Sequence, residues 1–200
     1  MGEPHRKRCK RLNVPGDAHY LTFSCFGRLP LLARDRSRQW LTDAIDQARL
    51  SHPFDLWAYV IMPEHVHVVL LPREGTQISR LLSAIKLPVS RRAVAWLQAN
   101  QPEFLTPIED VQPNGNRHLR FWQRGGGYDR NLRSVADIHE KIRYVHENPV
   151  RRGLVETPTD WPWSSARAWS FGEDAPLAID RVSLPVLSEM NGARGKGIDY

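Results

Sequence analysis

The stretch DLWAYVIMPEHVHVVLLP, residues 55–72, leaves the chain few folds to choose from. Two short runs rich in β-branched and aromatic residues are separated by Pro63-Glu64. A proline there disfavours one continuous helix, and the connection is short enough for a β-hairpin. A hairpin this apolar must lie inside a larger sheet. Strand side chains alternate, so His65 and His67 share one face while Val66, Val68 and Leu70 take the other. The partner run is apolar on both parities, which places the two histidines centrally. Imidazole is costly to bury unless its nitrogens find partners. Two core histidines satisfied by backbone or hydroxyl groups are the commoner cause of such a pattern. The alternative is a half-site in which two neutral imidazoles bind one divalent ion and a third ligand comes from elsewhere.

Around this hairpin the pattern predicts a strand over 18–26 and a helix over 36–50 carrying Trp40, Leu41, Ala44, Ile45 and Ala48. Ile78, Leu81, Leu82 and Ile85 predict a second helix, which Pro88 should kink or break before Val89, Ala93, Trp96 and Leu97 resume the period. Residues 100–117 read as a loop, 118–123 (HLRFWQ) as a fourth short strand, and Gly125–Gly127 as a flexible joint. Ser134 and Asp137 form a capping-box pattern opening a helix that should end at Asn148, before Pro149. The order is that of an α+β, ferredoxin-like (split βαβ, RRM-like) antiparallel sheet, with helices on one face and the other face free to work. The division expected is a basic arm at 1–17, one domain at 18–172 and a mobile C-terminal tail at 173–200.

Charge narrows the partners. The net charge is +6, and residues 5–11 read HRKRCKR, which favours a polyanion such as nucleic acid. Arg6, Lys7, Arg8, Lys10 and Arg11 in the arm, with Lys86, Arg91, Arg92, Arg151 and Arg152, are candidate phosphate contacts, or ordinary solvated charges. Trp122, Trp161, Trp163 and Trp169 are candidate base platforms, with core packing the better reading for at least half of them. Two cysteines, Cys9 and Cys25, cannot build a disulfide framework or a zinc finger, so a reducing cytoplasm is the expected setting. No apolar run approaches the roughly 20 residues of a membrane span, and no signal peptide is expected.

The helix at 134–148 bears on the histidines. At about 100° per residue, Val135, Ile138, Ile142 and Val145 share one arc. Tyr144 and Asn148 lie together, one turn apart, away from that arc, so Tyr144 should face solvent or a site. A tyrosine on a polar face is more often incidental than catalytic.

Taken together these pieces resemble a known family. His65-Val66-His67 resembles the histidine–hydrophobic–histidine motif of HUH nucleases. YVHENPVRRGLVETPTDWPWSS at 144–165, FWQRGGGYDR at 121–130 and HYLTFSCFGRLPLL at 19–32 resemble the REP-associated tyrosine transposases, relatives of the insertion-sequence single-tyrosine enzymes. The likeness spans about residues 10–170, and the glycine run departs from it. The resemblance implies Tyr144 as nucleophile, His65, His67 and Asn148 as ligands of one Mg2+ or Mn2+ ion, and a 5′-phosphotyrosine intermediate on single-stranded DNA. Its target would be a palindromic hairpin, met in the prokaryotic cytoplasm at the nucleoid. Glu64 and His146 fall in the same motifs with no assigned role. A domesticated, catalytically silent hairpin-DNA binder on an RRM-like sheet is the competing reading. Monomer and homodimer stay equally open.

Overall fold

The structure, a computed structural model, describes residues 14–73 and 75–187. The arm residues Arg6, Lys7, Arg8, Lys10 and Arg11 lie outside the described residues. A four-stranded antiparallel sheet organises the rest, in the order β2-β3-β1-β6: β1 (Ala18–Ser24), β2 (Phe54–Ile61), β3 (His65–Pro72) and β6 (Tyr128–Leu132). The expected hairpin forms, with Ile61 opposite Val66. Helix α1 (Asp35–Ser51) carries the chain from β1 to β2, leaving room for β3 between them. Helix α2 (Ile78–Asn100) begins the connection from β3 to β6, across β1. Two interleaved split βαβ units result, as the ferredoxin-like reading requires.

The two faces carry separate cores. Leu21, Phe23, Leu56, Tyr59, Ile61, Val66, Val68 and Leu70 pack beneath α1 and α2. Tyr20, Trp57, Val60, Val69 and Leu132 pack against helix α3 (Val135–Arg151) through Ile138, Ile142 and Val145. Each of these three α3 side chains is buried, a stabilisation of about 1.5–3 kcal/mol apiece. The face expected to be free is therefore covered in large part by α3, and the two histidines lie buried on it.

Several expectations fail for identifiable reasons. Pro88 does not break α2, which runs unbroken from Ile78 to Asn100. Proline removes one backbone hydrogen bond, but Ile78, Leu81, Leu82 and Ile85 before it and Val89 and Ala93 after it all stay buried. Likewise α3 continues through Pro149 to Arg151, its end closed by Arg152 N–H on the Asn148 carbonyl and Leu154 N–H on the Pro149 carbonyl. Residues 117–119 are not the fourth sheet strand. They form β5 (Arg117–Leu119), so the strand expected at 118–123 is extended only as far as Leu119, and it pairs with β4 (Glu109–Val111), which lies in the segment expected to be a loop. Ion pairs Arg117–Glu109 and Arg120–Asp110 hold this hairpin. The true edge strand, YDRNL, looks polar because one of its sides is exposed.

The chain beyond 172 is not a loose tail as far as residue 187. Leu177 is buried, and its N–H donates to the Tyr59 hydroxyl. Asp180 accepts from Leu56 N–H with its carboxylate and donates its own N–H to the Leu56 carbonyl. Together with Trp163 and Ser165, which bond Ile61 and Tyr59, this strap covers the edge of β2 that an open sheet would expose. A short helix, α4 (Ala166–Phe171), lies between these segments.

Candidate active site

Strand β3 supplies the two histidines, and its neighbour β1 supplies what holds them. Thr22 lies directly opposite His67 in the ladder, and Tyr20 is two residues along on the same face. The His67 Nδ1 atom is 2.8 Å from the Tyr20 hydroxyl and 2.7 Å from the Thr22 hydroxyl. His65 Nδ1 is 3.2 Å from a Glu64 carboxylate oxygen, and that oxygen is also 2.8 Å from Arg152 Nη2. The two Nε2 atoms face each other at 2.9 Å. Both rings are almost fully buried. Burial pushes His67 down to about 3, with His65 adding to the fall, and it lowers His65 as well. Both imidazoles are thus neutral at neutral pH.

Helix α3 brings the other two residues. Asn148 is buried beside His67, whose protonated form it favours, and its side-chain N–H donates to the Tyr144 carbonyl at 3.5 Å. Tyr144, one turn earlier, is partly exposed, with its ring 5.9 Å from that of His67 and 6.1 Å from that of Tyr20. The Arg151 guanidinium and the Lys141 ammonium stand 5.0 and 5.7 Å from the Tyr144 ring centre. Residues almost eighty positions apart thereby meet between β3 and α3.

Octahedral coordination at about 2.1 Å puts adjacent donor nitrogens about 3.0 Å apart, which matches the observed separation. Each Nδ1 has an oxygen partner, the arrangement that leaves Nε2 as the ligating lone pair. With both Nδ1 atoms protonated, two lone pairs converge and repel unless a cation lies with them. Without a cation, a second tautomer set also closes: hydroxyls donate to His67 Nδ1, His67 Nε2–H donates to His65, and His65 Nδ1–H donates to Glu64. Among the described residues no group of three His, Cys, Asp or Glu side chains could hold a metal, and the buried oxygen-bearing side chain that α3 sets beside His67 is the amide of Asn148. The residues fit an ion that keeps much of its water.

The basic and aromatic candidates divide. Arg151 and Arg152 border the site, paired with Glu147 and Glu64. Lys86 reaches the mouth of a cleft of about 490 Å³ that begins at Thr22, and it donates to the Gly125 carbonyl. Arg92 pairs with Asp43, and Arg91 borders a groove on α2 beside Arg80 and His52, so neither reaches the histidines. Trp122 is no base platform: it is buried against Phe23 and Phe121, and its indole N–H donates to the Lys86 carbonyl. The indole N–H groups of Trp161, Trp163 and Trp169 are likewise used internally, on Ile61, Asp35 and Trp57. His146 turns away from the site. It bonds Ser165 Oγ at 2.8 Å, tying α3 to the segment that edges β2, and burial pushes it down to about 4.

Sequence reasoning missed Tyr20, Thr22 and Arg28. The first two lie on alternate positions of a strand, a signal that becomes readable only once β1 is known to pair with β3 in this register. Arg28 has positive φ, 59°, and its charge adds to the depression of both histidines.

No family model matches the chain. It is 27% identical over 143 residues to a Haemophilus influenzae protein assigned as a REP-associated tyrosine transposase, covering 68% of this chain and 76% of that relative. It is 26% identical over 157 residues to the REP-associated tyrosine transposase of Escherichia coli, covering 78% and 80%. A solved structure of a REP-associated tyrosine transposase bound to a REP hairpin superposes with a TM-score of 0.64 at 22% identity, covering 96% of this chain and all of that one. This last likeness establishes the fold, and both sequence relatives carry the family name that the motifs suggest.

Proposed function

We propose that this relative of the REP-associated tyrosine transposases binds single-stranded DNA folded into palindromic hairpins, and nicks and rejoins it through Tyr144. The convergence of His65 and His67 at 2.9 Å, with buried Asn148 and the Tyr144 ring beside His67, carries this reading. The hairpin on the structural neighbour supports the substrate class. Among the described residues no helix is long and apolar enough to cross a membrane, and the expected place of action is the cytoplasm, at the nucleoid.

In this mechanism the Tyr144 oxygen attacks a DNA phosphorus. A bond from that oxygen to phosphorus forms, the phosphorus–O3′ bond breaks, and the phenol proton is balanced by the one the 3′ oxygen takes up. The products are a 5′-phosphotyrosine and a free 3′-hydroxyl, and the reverse step rejoins strands without an external energy source. Mg2+ or Mn2+ held by His65, His67 and Asn148 would supply Lewis-acid polarisation of a phosphate oxygen. Arg151 and Arg152, held at the rim by Glu147 and Glu64, would offer guanidinium donors to a phosphate. Tyr20 is the other tyrosine at the histidines, but its hydroxyl is bound to His67 and burial pushes it up to about 12. It therefore orients an imidazole and is a poor nucleophile.

The test is a covalent-adduct assay with single-stranded oligonucleotides covering the palindromes that flank the gene, in Mg2+ or Mn2+. A protein band shifted in a denaturing gel, lost with EDTA and in Tyr144→Phe and His67→Ala, is the expected result. Hairpin binding without any adduct would favour the catalytically silent binder. Equal adduct from wild type and Tyr144→Phe would remove Tyr144 as nucleophile.

A further inference from the structure

Between β1 and α1 the chain makes a short 3₁₀ turn, Phe26–Arg28, with φ of 58° at Gly27 and 59° at Arg28. Arg28 is the one residue other than glycine with positive φ among the described residues. A side chain with a Cβ is held there against its preference. The turn is fastened from both sides. Cys25 N–H donates to the Glu64 carbonyl and Phe26 N–H to the Phe121 carbonyl, while Gly27 N–H donates to the Gln123 side chain. Arg28 is exposed, and no carboxylate among the described residues lies within ion-pair distance of it.

Its position is distinctive. One cleft, about 460 Å³, is lined by Arg28, Pro30, Glu64 and Arg152. Another, about 490 Å³, runs by Thr22, Lys86, Gln123 and the half-exposed Tyr128, and Arg28 lines it too. Glu64 contacts His65 and Thr22 contacts His67, so the two clefts flank the histidine pair and meet at Arg28. A guanidinium offers a planar fork of donors that matches two oxygens of a phosphate.

We infer that Arg28 clamps a backbone phosphate of the DNA strand where it passes from one cleft to the other beside His65 and His67. This rests on the proposed DNA-processing function, but its test does not require cleavage. The probes are the flanking palindrome oligonucleotides, each carrying one neutral methylphosphonate in place of a phosphate, walked through the single-stranded segments. Binding is measured with Tyr144→Phe protein, with and without Arg28→Gly. Glycine suits the positive φ, so Arg28→Gly should melt at or above the parent temperature while losing the contact. The expected result is one linkage whose neutralisation weakens binding at least tenfold when Arg28 is present and less than twofold when it is absent. Identical methylphosphonate profiles for the two proteins would overturn the clamp, and so would failure of the parent to bind any probe. If wild type forms no adduct while the linkage effect persists, the nicking reading fails and the phosphate contact stands. Arg28→Gly in an otherwise wild-type protein should slow adduct formation about a hundredfold on the phosphate substrate.

Discussion

Gly127→Ala tests whether the glycine run is a loose joint or a fitted crossing. A Cβ at Gly127 would lie 1.9 Å from the Thr22 carbonyl oxygen and 3.0 Å from its carbon, with φ at 77°. The backbones of β1 and β6 would have to part by more than about 1 Å at the Thr22–Tyr128 end of their ladder. The left-handed conformation costs about 1–2 kcal/mol for a residue with a Cβ. Losing one or two ladder hydrogen bonds adds about 1 kcal/mol each, for a total near 3 kcal/mol. Gly115→Ala is the control. Its φ is 83° but nothing lies within 4 Å of the added carbon, so it should lose only the conformational part. Urea unfolding of the three proteins reads the difference directly. Displacing Thr22 also disturbs the hydroxyl that holds His67 at 2.7 Å, so adduct formation by folded Gly127→Ala should fall at least tenfold. Equal stability losses for the two glycine variants would refute the close-approach reasoning and restore the flexible joint.

Other consequences follow from the same geometry. Tyr20→Phe leaves the Thr22 hydroxyl on His67, so adduct formation should slow by no more than about tenfold; complete loss in the adduct assay would transfer the nucleophile's role to Tyr20. His67 and His146 are held at about 3 and about 4, below the unfolded value near 6.5. The unfolded chain therefore binds more protons, and their stabilisation is full above pH 6.5 and lost as pH falls toward 3–4, by up to about 1.4 kcal/mol per pH unit for each histidine. Urea titrations at pH 7 and pH 5 should show this loss, and His146→Gln should reduce it by about 2 kcal/mol; higher stability at pH 5 would contradict the assignment. Trp122→Ala should cost about 3–5 kcal/mol in the same titrations while leaving hairpin affinity of the folded fraction unchanged. A selective loss of DNA affinity would return Trp122 to the binding surface.

What could be read in the sequence was what strand and helix periodicity encode within one element. The facing of His65 and His67 needed only alternation, and the pairing of Tyr144 with Asn148 only a 3.6-residue turn; the burial of Asn148 along with the apolar arc of α3, and the packing of Tyr144 against the same core, did not follow from either. The missed features are relations between elements. Tyr20 and Thr22 serve His67 because β1 pairs with β3 in one register, and a slip of one residue would present Leu21 and Phe23 to the histidines instead. HLRFWQ has strand chemistry, yet which strand it joins depends on Glu109 and Asp110 several residues upstream. YDRNL carries no strand signal of its own because an edge strand need hide only one side. Pro88 and Pro149 are the opposite case: a local penalty of a few kcal/mol is outweighed by buried side chains nearby, so neither proline ends its helix. The site inherits this dependence on relations. Its imidazoles come from β3, their orienting hydroxyls from β1, and its phenol and amide from a helix that His146 and Ser165 fasten to the edge of β2. Loosening any one of those contacts would separate the proposed nucleophile from the proposed ligands without altering either, so positions far from the proposed chemistry, Gly127 and His146 above all, should control adduct formation as strongly as residues at its rim.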